Sequence, residues 1–369
     1  MKRVKCVYDN MLDYHKIKKI YNKVRITTKN KKDVIRFSLN LNENLIDILN
    51  KLYKGTYEFN KYRIFLIREP KYRLIMSENF TDKIVNHLFS KELIKSLERS
   101  LIYTNVATRK KKGSKLAYDN FIKSINKIMY KSKDIYVLKL DISKFFYNIN
   151  HNILINLCEE KIKDKKALWI LKKILDTTNL PYVNRQIREV IYKEKERIKS
   201  FNICKEEKKK LYNELDKIPT YRKGYGLPIG NMSSQILAVF FLSKIDHLIK
   251  EKLKCKYYIR YMDDLIIMDS DKSKLKNIYS DIVKLIESFD LKINNKSRIY
   301  NLGNGVNFLG YNFKVNNGLI IRYKKDTIKR IDKKLTNLFI YDINRLYKVF
   351  PSYKGYLSFS NTVKRSIYL

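Results

Sequence analysis

Two β-rich runs, Tyr257-Tyr258-Ile259-Arg260-Tyr261-Met262 and Leu265-Ile266-Ile267-Met268, are separated only by Asp263-Asp264. β-branched and aromatic residues in two runs divided by a polar pair read as a tight antiparallel hairpin. The divider is unusual. A turn with a purely structural role favours Asn-Gly or Asp-Gly between such runs, so paired aspartates point to chemistry at the tip. A further strand, Ile135-Tyr136-Val137-Leu138-Lys139-Leu140-Asp141, ends on a third carboxylate 122 residues earlier (263 − 141). If these strands lie side by side, three carboxylates converge and repel one another unless cations are present. Hard oxygen donors on rigid strands suit two divalent ions ~3.5–4 Å apart. Such a pair drives phosphoryl transfer by activating the attacking hydroxyl and neutralising the leaving pyrophosphate.

The rest of the chain carries the opposite sign. Lys and Arg number 79 against 37 Asp and Glu, a net charge of +42 over 369 residues. A field of that size calls for a polyanion, and nucleic acid is the first candidate. A basic channel around an acidic metal centre is what a nucleic-acid polymerase requires. The length allows two or more lobes with a sizeable core. Cys6, Cys158, Cys204 and Cys255 are scattered, as are the four histidines, and there is no CxxC pair. Neither a zinc site nor a disulfide framework is indicated. No signal-peptide run follows Met1-Lys2-Arg3, and the longest apolar stretch, Ile236 to Leu242, is too short to span a bilayer. The expectation is a reduced, cytoplasmic protein with no membrane partner.

Along the chain, residues 10–35 alternate helical patterning with basic residues. Tyr62 to Ile67 and Arg73 to Met76 read as strands, and Glu69-Pro70 punctuates them. Thr81 to Leu97 reads as a helix, as does His151 onward toward Leu175. Residues 186–217 carry dense charge of both signs and read as an exposed helical excursion. A turn-rich loop, Tyr225 to Gly230, leads into a long apolar helix from Ser233 to Leu253. A helix follows at Leu275–Phe289, then strands at Arg298–Leu302 and Val306–Phe313. The last fifty residues are basic and mainly helical.

Several of these segments carry a resemblance. Tyr261-Met262-Asp263-Asp264 is similar to the YMDD box of reverse transcriptases, and Leu138-Lys139-Leu140-Asp141-Ile142-Ser143-Lys144-Phe145-Phe146 looks like their first catalytic motif. Five further blocks stand in the matching order, over roughly residues 36–315. Glu69-Pro70-Lys71-Tyr72-Arg73-Leu74-Ile75 resembles the fingers strand that holds the incoming triphosphate. Thr104 to Ala117 resembles another block with basic residues for phosphates. Gly226 to Gln235 resembles the loop and helix against the nascent base pair. Ile293-Asn294-Asn295-Lys296-Ser297 resembles the motif whose lysine lies near the pyrophosphate. Phe308-Leu309-Gly310-Tyr311 resembles the primer grip.

The resemblance implies an α+β right-hand polymerase: an antiparallel palm sheet backed by helices, fingers, and a short helical thumb. The implied domains are an N-terminal extension at 1–35, fingers at 36–134, a palm at 135–315 with an insertion at 186–217, and a thumb at 316–369. Asp141, Asp263 and Asp264 become the catalytic metal ligands, with Ile142 among the metal-binding positions. The cofactor is two Mg2+ ions, with Mn2+ as a substitute. Lys71 and Arg73 take the triphosphate, a role that suits their chemistry. Lys296 is a candidate general acid, or else a plain surface lysine. Phe146 is a candidate steric gate against a ribose 2′-hydroxyl, or else a core residue. Ile229, Gly230 and Gln235 line the nucleotide site, and Phe308, Leu309, Gly310 and Tyr311 hold the primer.

The implied partners are a template RNA, a cDNA or primer, dNTPs, and a small basic accessory protein. The form Ile229-Gly230-Asn231-Met232-Ser233-Ser234-Gln235 looks like that of diversity-generating retroelement enzymes, as does Ser352-Tyr353-Lys354-Gly355-Tyr356-Leu357-Ser358. The alternatives are an antiphage-defence reverse transcriptase and a nucleic-acid-binding protein on a polymerase scaffold.

Overall fold

The computed structural model describes residues 3–28, 30–68 and 70–358. The chain is α+β, as expected, and forms two compact units whose segments interleave. The first comprises Met1–Tyr103, Ile142–His247 and Leu285–Lys292; the second comprises Thr104–Asp141, Leu248–Lys284 and Ile293–Leu369. The stretch 135–315 therefore contributes to both, because the chain leaves the second unit at Asp141 and returns to it at Leu248.

The first unit opens with helices Tyr14–Thr27, Lys31–Leu39 and Leu41–Tyr53. Ile17, Ile20, Tyr21 and Val24 recur at helical spacing and are buried, which fixes one face of the first helix inward. Helix Phe80–Leu97 starts at Asn79, whose side chain accepts from the Asp82 N–H, and buries Ile84, Val85, Leu88, Phe89 and Leu93. Strand β1 (Arg63–Arg68) pairs antiparallel with β2 (Tyr72–Ser77).

The charged span expected to be an exposed excursion forms helices Pro181–Lys199 and Lys205–Asp216, and it is not exposed along its whole surface. Ile198, Leu211 and Leu215 are buried together, with Leu66 of β1 and Tyr72 of β2 packed against them. Tyr72 Oη also donates to Glu194 at 2.8 Å. Charge counting misses this face because Lys and Glu outnumber the apolar residues that recur every three or four positions.

The apolar stretch 233–253 is not one α-helix. It runs as Met232–Phe241, Ser243–His247 and a π-helical stretch Leu248–Lys252. By length and composition the whole run would suit a membrane span, yet most of it is buried within the protein.

In the second unit, β3 (Tyr136–Asp141), β4 (Tyr257–Tyr261), β5 (Asp264–Asp269) and β6 (Arg298–Asn301) form an antiparallel sheet in the order β4-β5-β3-β6. Helix Ser114–Met129 covers one face, burying Ala117, Phe121, Ile125 and Ile128 against Val137, Ile259, Ile266 and Met268. A second sheet, β7 (Val306–Phe308), β8 (Tyr311–Val315) and β9 (Leu319–Tyr323), shares that core: Phe121 lies 5.2 Å from Phe308 and 4.7 Å from Phe313, ring to ring. The segment expected to be a helical thumb thus begins with a strand. Helices Lys325–Tyr341 and Ile343–Leu357 follow, pinned by Ile331, Leu335 and Leu346.

Candidate active site

The hairpin forms, with its turn one residue earlier than the sequence suggests. Tyr261 pairs with Asp264, so the turn is Met262-Asp263. Met262 takes φ +57°, the left-handed conformation that a two-residue hairpin turn demands. A methionine there reads as strand in sequence, which displaced the expected boundary. The consequence is that Asp264 is the first residue of β5 and lies directly opposite Asp141, the last of β3. Directly opposed residues in antiparallel strands have Cα atoms about 4.5–5.5 Å apart.

Burial, and then the neighbouring Asp264 charge, hold the Asp141 carboxyl above the usual carboxylate range. Lys139, a hydrogen bond from Asn294 and the charge of Lys296 oppose that shift. The Lys139 ammonium lies 3.6 Å from Asp264 Oδ1. Asn294 Nδ2 donates to Asp141 Oδ2 at 2.9 Å, and the Asn294 main-chain N–H donates to the Asp141 carbonyl at 2.7 Å. The Asp141 N–H in turn donates to Ser297 Oγ at 3.0 Å. Segment 293–297 is thereby fastened to Asp141 from two sides. Lys296 is exposed at its tip, with its own N–H on Asn294 Oδ1.

Among the described residues, no three His, Cys, Asp or Glu side chains converge on one point. The expected meeting of three carboxylates is therefore, in this geometry, an opposed pair, Asp141 and Asp264. Asp263 belongs to the adjoining turn. The donor set still fits a divalent cation: two hard carboxylates that repel each other on rigid strands, with a third one residue away.

The remaining nucleotide-site candidates belong to the first unit. Lys71 and Arg73 are both exposed, with Arg73 on β2 and Lys71 just before it; Glu69 lies outside the described residues. Ile229 and Gly230 are brought to that same hairpin. The Met76 N–H donates to the Ile229 carbonyl at 2.7 Å. Gly230 has φ +136°, and a Cβ there would stand 2.7 Å from the Met76 carbonyl oxygen, so only glycine fits. Asn231 seats the loop through Nδ2 on Tyr62 Oη at 2.7 Å, and Gln235 is exposed on the following helix. Ile142 is buried. In the short helix Phe145–Asn148, Phe145 takes the core position at 3% exposure, whereas Phe146 is only half-buried.

In the second unit, Phe308 pairs with Tyr311 across a two-residue turn, Leu309-Gly310, with φ +50° and +88°. The stretch 306–313 is thus two strands, not one. Tyr356 Oη closes over that turn by donating to the Gly310 carbonyl at 3.1 Å. Sequence reasoning did not single out Asn294 or Ser297 as supports of Asp141. Only their place in the Ile293–Ser297 motif hinted at it.

Residues 54–313 match the family described as reverse transcriptase (RNA-dependent DNA polymerase). The COX1/OXI3 intron 2 protein of Saccharomyces cerevisiae is 30% identical over 201 residues, which is 48% of this chain and 24% of that protein. Among solved structures the chain is similar to Candida albicans telomerase in complex with a fragment of telomeric RNA, with 14% identity and a TM-score of 0.43 over 73% of this chain and 46% of that one. It is also similar to apo telomerase from Candida tropicalis, with 14% identity and a TM-score of 0.42 over 74% and 59% of the two chains. This chain therefore spans less than two thirds of each of these relatives. The family match covers well over half of the chain itself, and it takes in the opposed carboxylates, the hairpin turn and the loop at Gly230: the chain belongs to the reverse transcriptase family.

Proposed function

We propose that the protein extends a primer with deoxynucleotides on an RNA template, and that Asp141, Asp263 and Asp264 are its catalytic carboxylates. One observation carries this reading: Asp141 and Asp264 are opposed in strand register, in a family member of net charge +42. The three aspartates would hold divalent cations, Mg2+ or in its place Mn2+, which when bound supply activation of the primer hydroxyl and neutralisation of the pyrophosphate. Asn294 fixes the Asp141 carboxylate, so that one oxygen is held and the other is directed away from that bond. Exposed Arg73 and Lys71 bind the triphosphate as charge-assisted donors. Lys296, also exposed, delivers a proton to the leaving pyrophosphate. Phe146 meets the sugar edge and excludes a 2′-hydroxyl, a role that its half-exposed ring supports because Phe145 already fills the core. The 308–311 hairpin holds the primer end.

Primer extension on an RNA template with Mg2+ tests this. Asp263→Ala should abolish synthesis while leaving RNA binding largely intact. Substantial residual synthesis would sink the assignment and leave a nucleic-acid-binding protein on a polymerase scaffold.

The finer reading is the low-fidelity enzyme of a diversity-generating retroelement, working with a small basic accessory protein. Its support is the Ile229-Gly230-Asn231-Met232-Ser233-Ser234-Gln235 form. At Ile229 the side chain offers dispersion contacts alone, whereas a glutamine would add a hydrogen bond worth about 0.5–1.5 kcal/mol, or several-fold in discrimination. Sequencing cDNA made by the wild type and by Ile229→Gln should reveal errors concentrated at template adenines in the wild type and fewer in the variant. Rare, evenly spread wild-type errors would favour the antiphage-defence enzyme instead.

A further inference from the structure

Arg260 is the penultimate residue of β4, immediately before Tyr261-Met262-Asp263-Asp264, and it is 0% exposed. A guanidinium cannot shed its charge to ease burial, and an interior strand position ordinarily suits an aliphatic side chain. Such a residue is tolerated where its donors are used, and one use is specific: Nη1 donates to the Met262 carbonyl at 2.9 Å. That carbonyl belongs to the peptide joining Met262 to Asp263, so the bond sets the plane from which the Asp263 side chain projects. Met262 itself sits at φ +57°, a conformation that an unbranched L-residue adopts only when its surroundings impose it. The base of the clamp is rigid. The Arg260 N–H donates to the Thr104 carbonyl at 3.0 Å, and the Arg260 carbonyl accepts from the Val106 N–H at 3.2 Å. The segment at 104–106 thus runs alongside the edge strand at this one residue.

We propose that Arg260 is a positioning residue, which locks the Met262-Asp263 turn in its left-handed form and so aims Asp263 at the ions that Asp141 and Asp264 share. The proposal rests on the carboxylate reading above and adds to it a device that the four-residue box does not contain. It also explains why the box tolerates methionine in a turn conformation that glycine would adopt freely.

The test uses the full chain with Arg260→Lys and Arg260→Gln, in two measurements that do not depend on turnover. In hydrogen exchange followed by mass spectrometry, peptides covering 261–265 should exchange on the order of tenfold faster in Arg260→Lys, the scale of one charge-assisted hydrogen bond, while peptides from β3 and β6 keep the wild-type rate. Mn2+ binding followed by electron paramagnetic resonance should weaken by a similar factor. Adding Met262→Gly to Arg260→Lys should recover part of the Mn2+ affinity, because glycine holds the turn without the clamp. Wild-type exchange and Mn2+ affinity in both arginine variants would overturn the proposal. So would faster exchange spread evenly over the sheet, or loss of cooperative melting in both variants, since either makes Arg260 a folding residue. Asp263→Ala separates the two layers. If it binds Mn2+ as the wild type does, the carboxylate reading itself fails; if it binds weakly while the arginine variants bind normally, only the positioning role fails.

Discussion

Asp141 is held at a conflict that its own fold creates. Burial and the facing Asp264 charge raise its proton affinity above that of an unfolded aspartate. A carboxyl raised in this way contributes stability that is fully present below the ordinary carboxylate range and is lost as pH rises through its shifted value. In the metal-free chain, Asp141→Asn should therefore raise the thermal midpoint at neutral pH. That gain should vanish when the wild type is acidified below the ordinary carboxylate range. Melting curves of both proteins over a pH series, in the presence of a chelator, make the comparison. A variant that melts lower than the wild type at neutral pH would mean that Asn294 and Lys139 already outweigh the repulsion. At this scale the sequence was informative about which carboxylates matter, since flanking β-runs and the separation of 122 residues (263 − 141) are both visible in it. It was silent on their supports. Asn294, Ser297 and Arg260 are ordinary letters until strand register brings them to Asp141 and to the turn.

Among the elements, strands and most helices follow from periodicity, and the departures share a cause. Turns that need positive φ at Met262 and Leu309 are filled by apolar residues that continue the flanking runs instead of by Gly, Asn or Asp, so the sequence pattern misplaces one hairpin turn and hides the other. In the charged helices Pro181–Lys199 and Lys205–Asp216, charge density reports the exposed faces alone. Their buried face backs the hairpin that carries Arg73, through Leu66 and Tyr72. Leu215→Ala should accordingly destabilise the protein by about 2–5 kcal/mol, the usual range for a fully buried leucine. It should also raise KM for dNTPs more than it lowers kcat, because β2 loses its support. Denaturant melts and steady-state kinetics check both parts. A change below the noise of the melt would return these helices to the status of a solvent-exposed insertion.

For the molecule as a whole, the net charge of +42 predicts how the proposed RNA template would be held. Each phosphate contact releases counterions, so about 6–10 contacts imply a loss of ~10³–10⁵ in RNA affinity between 50 and 200 mM salt. Fluorescence anisotropy across a salt series measures the slope, and a flat titration would mean that the charge serves another purpose. What sequence could not reveal at this scale is the order in which segments are assigned to units. The partition depends on contacts between residues far apart along the chain, and no local pattern encodes it.

That interleaving has a temporal side. The chain passes between the two units at 103/104, 141/142, 247/248, 284/285 and 292/293. While the protein is being synthesised, β3 emerges long before its neighbours β5 and β6, and must wait with both edges unpaired. The first unit cannot close until the segment Leu285–Lys292 has left the ribosome, and the second needs residues later still. Neither unit can be excised as one continuous fragment, so maturation is bound to be late and concerted. A nascent chain of this kind exposes unpaired strand edges for most of its synthesis, the condition under which aggregation competes with folding until the last segments arrive.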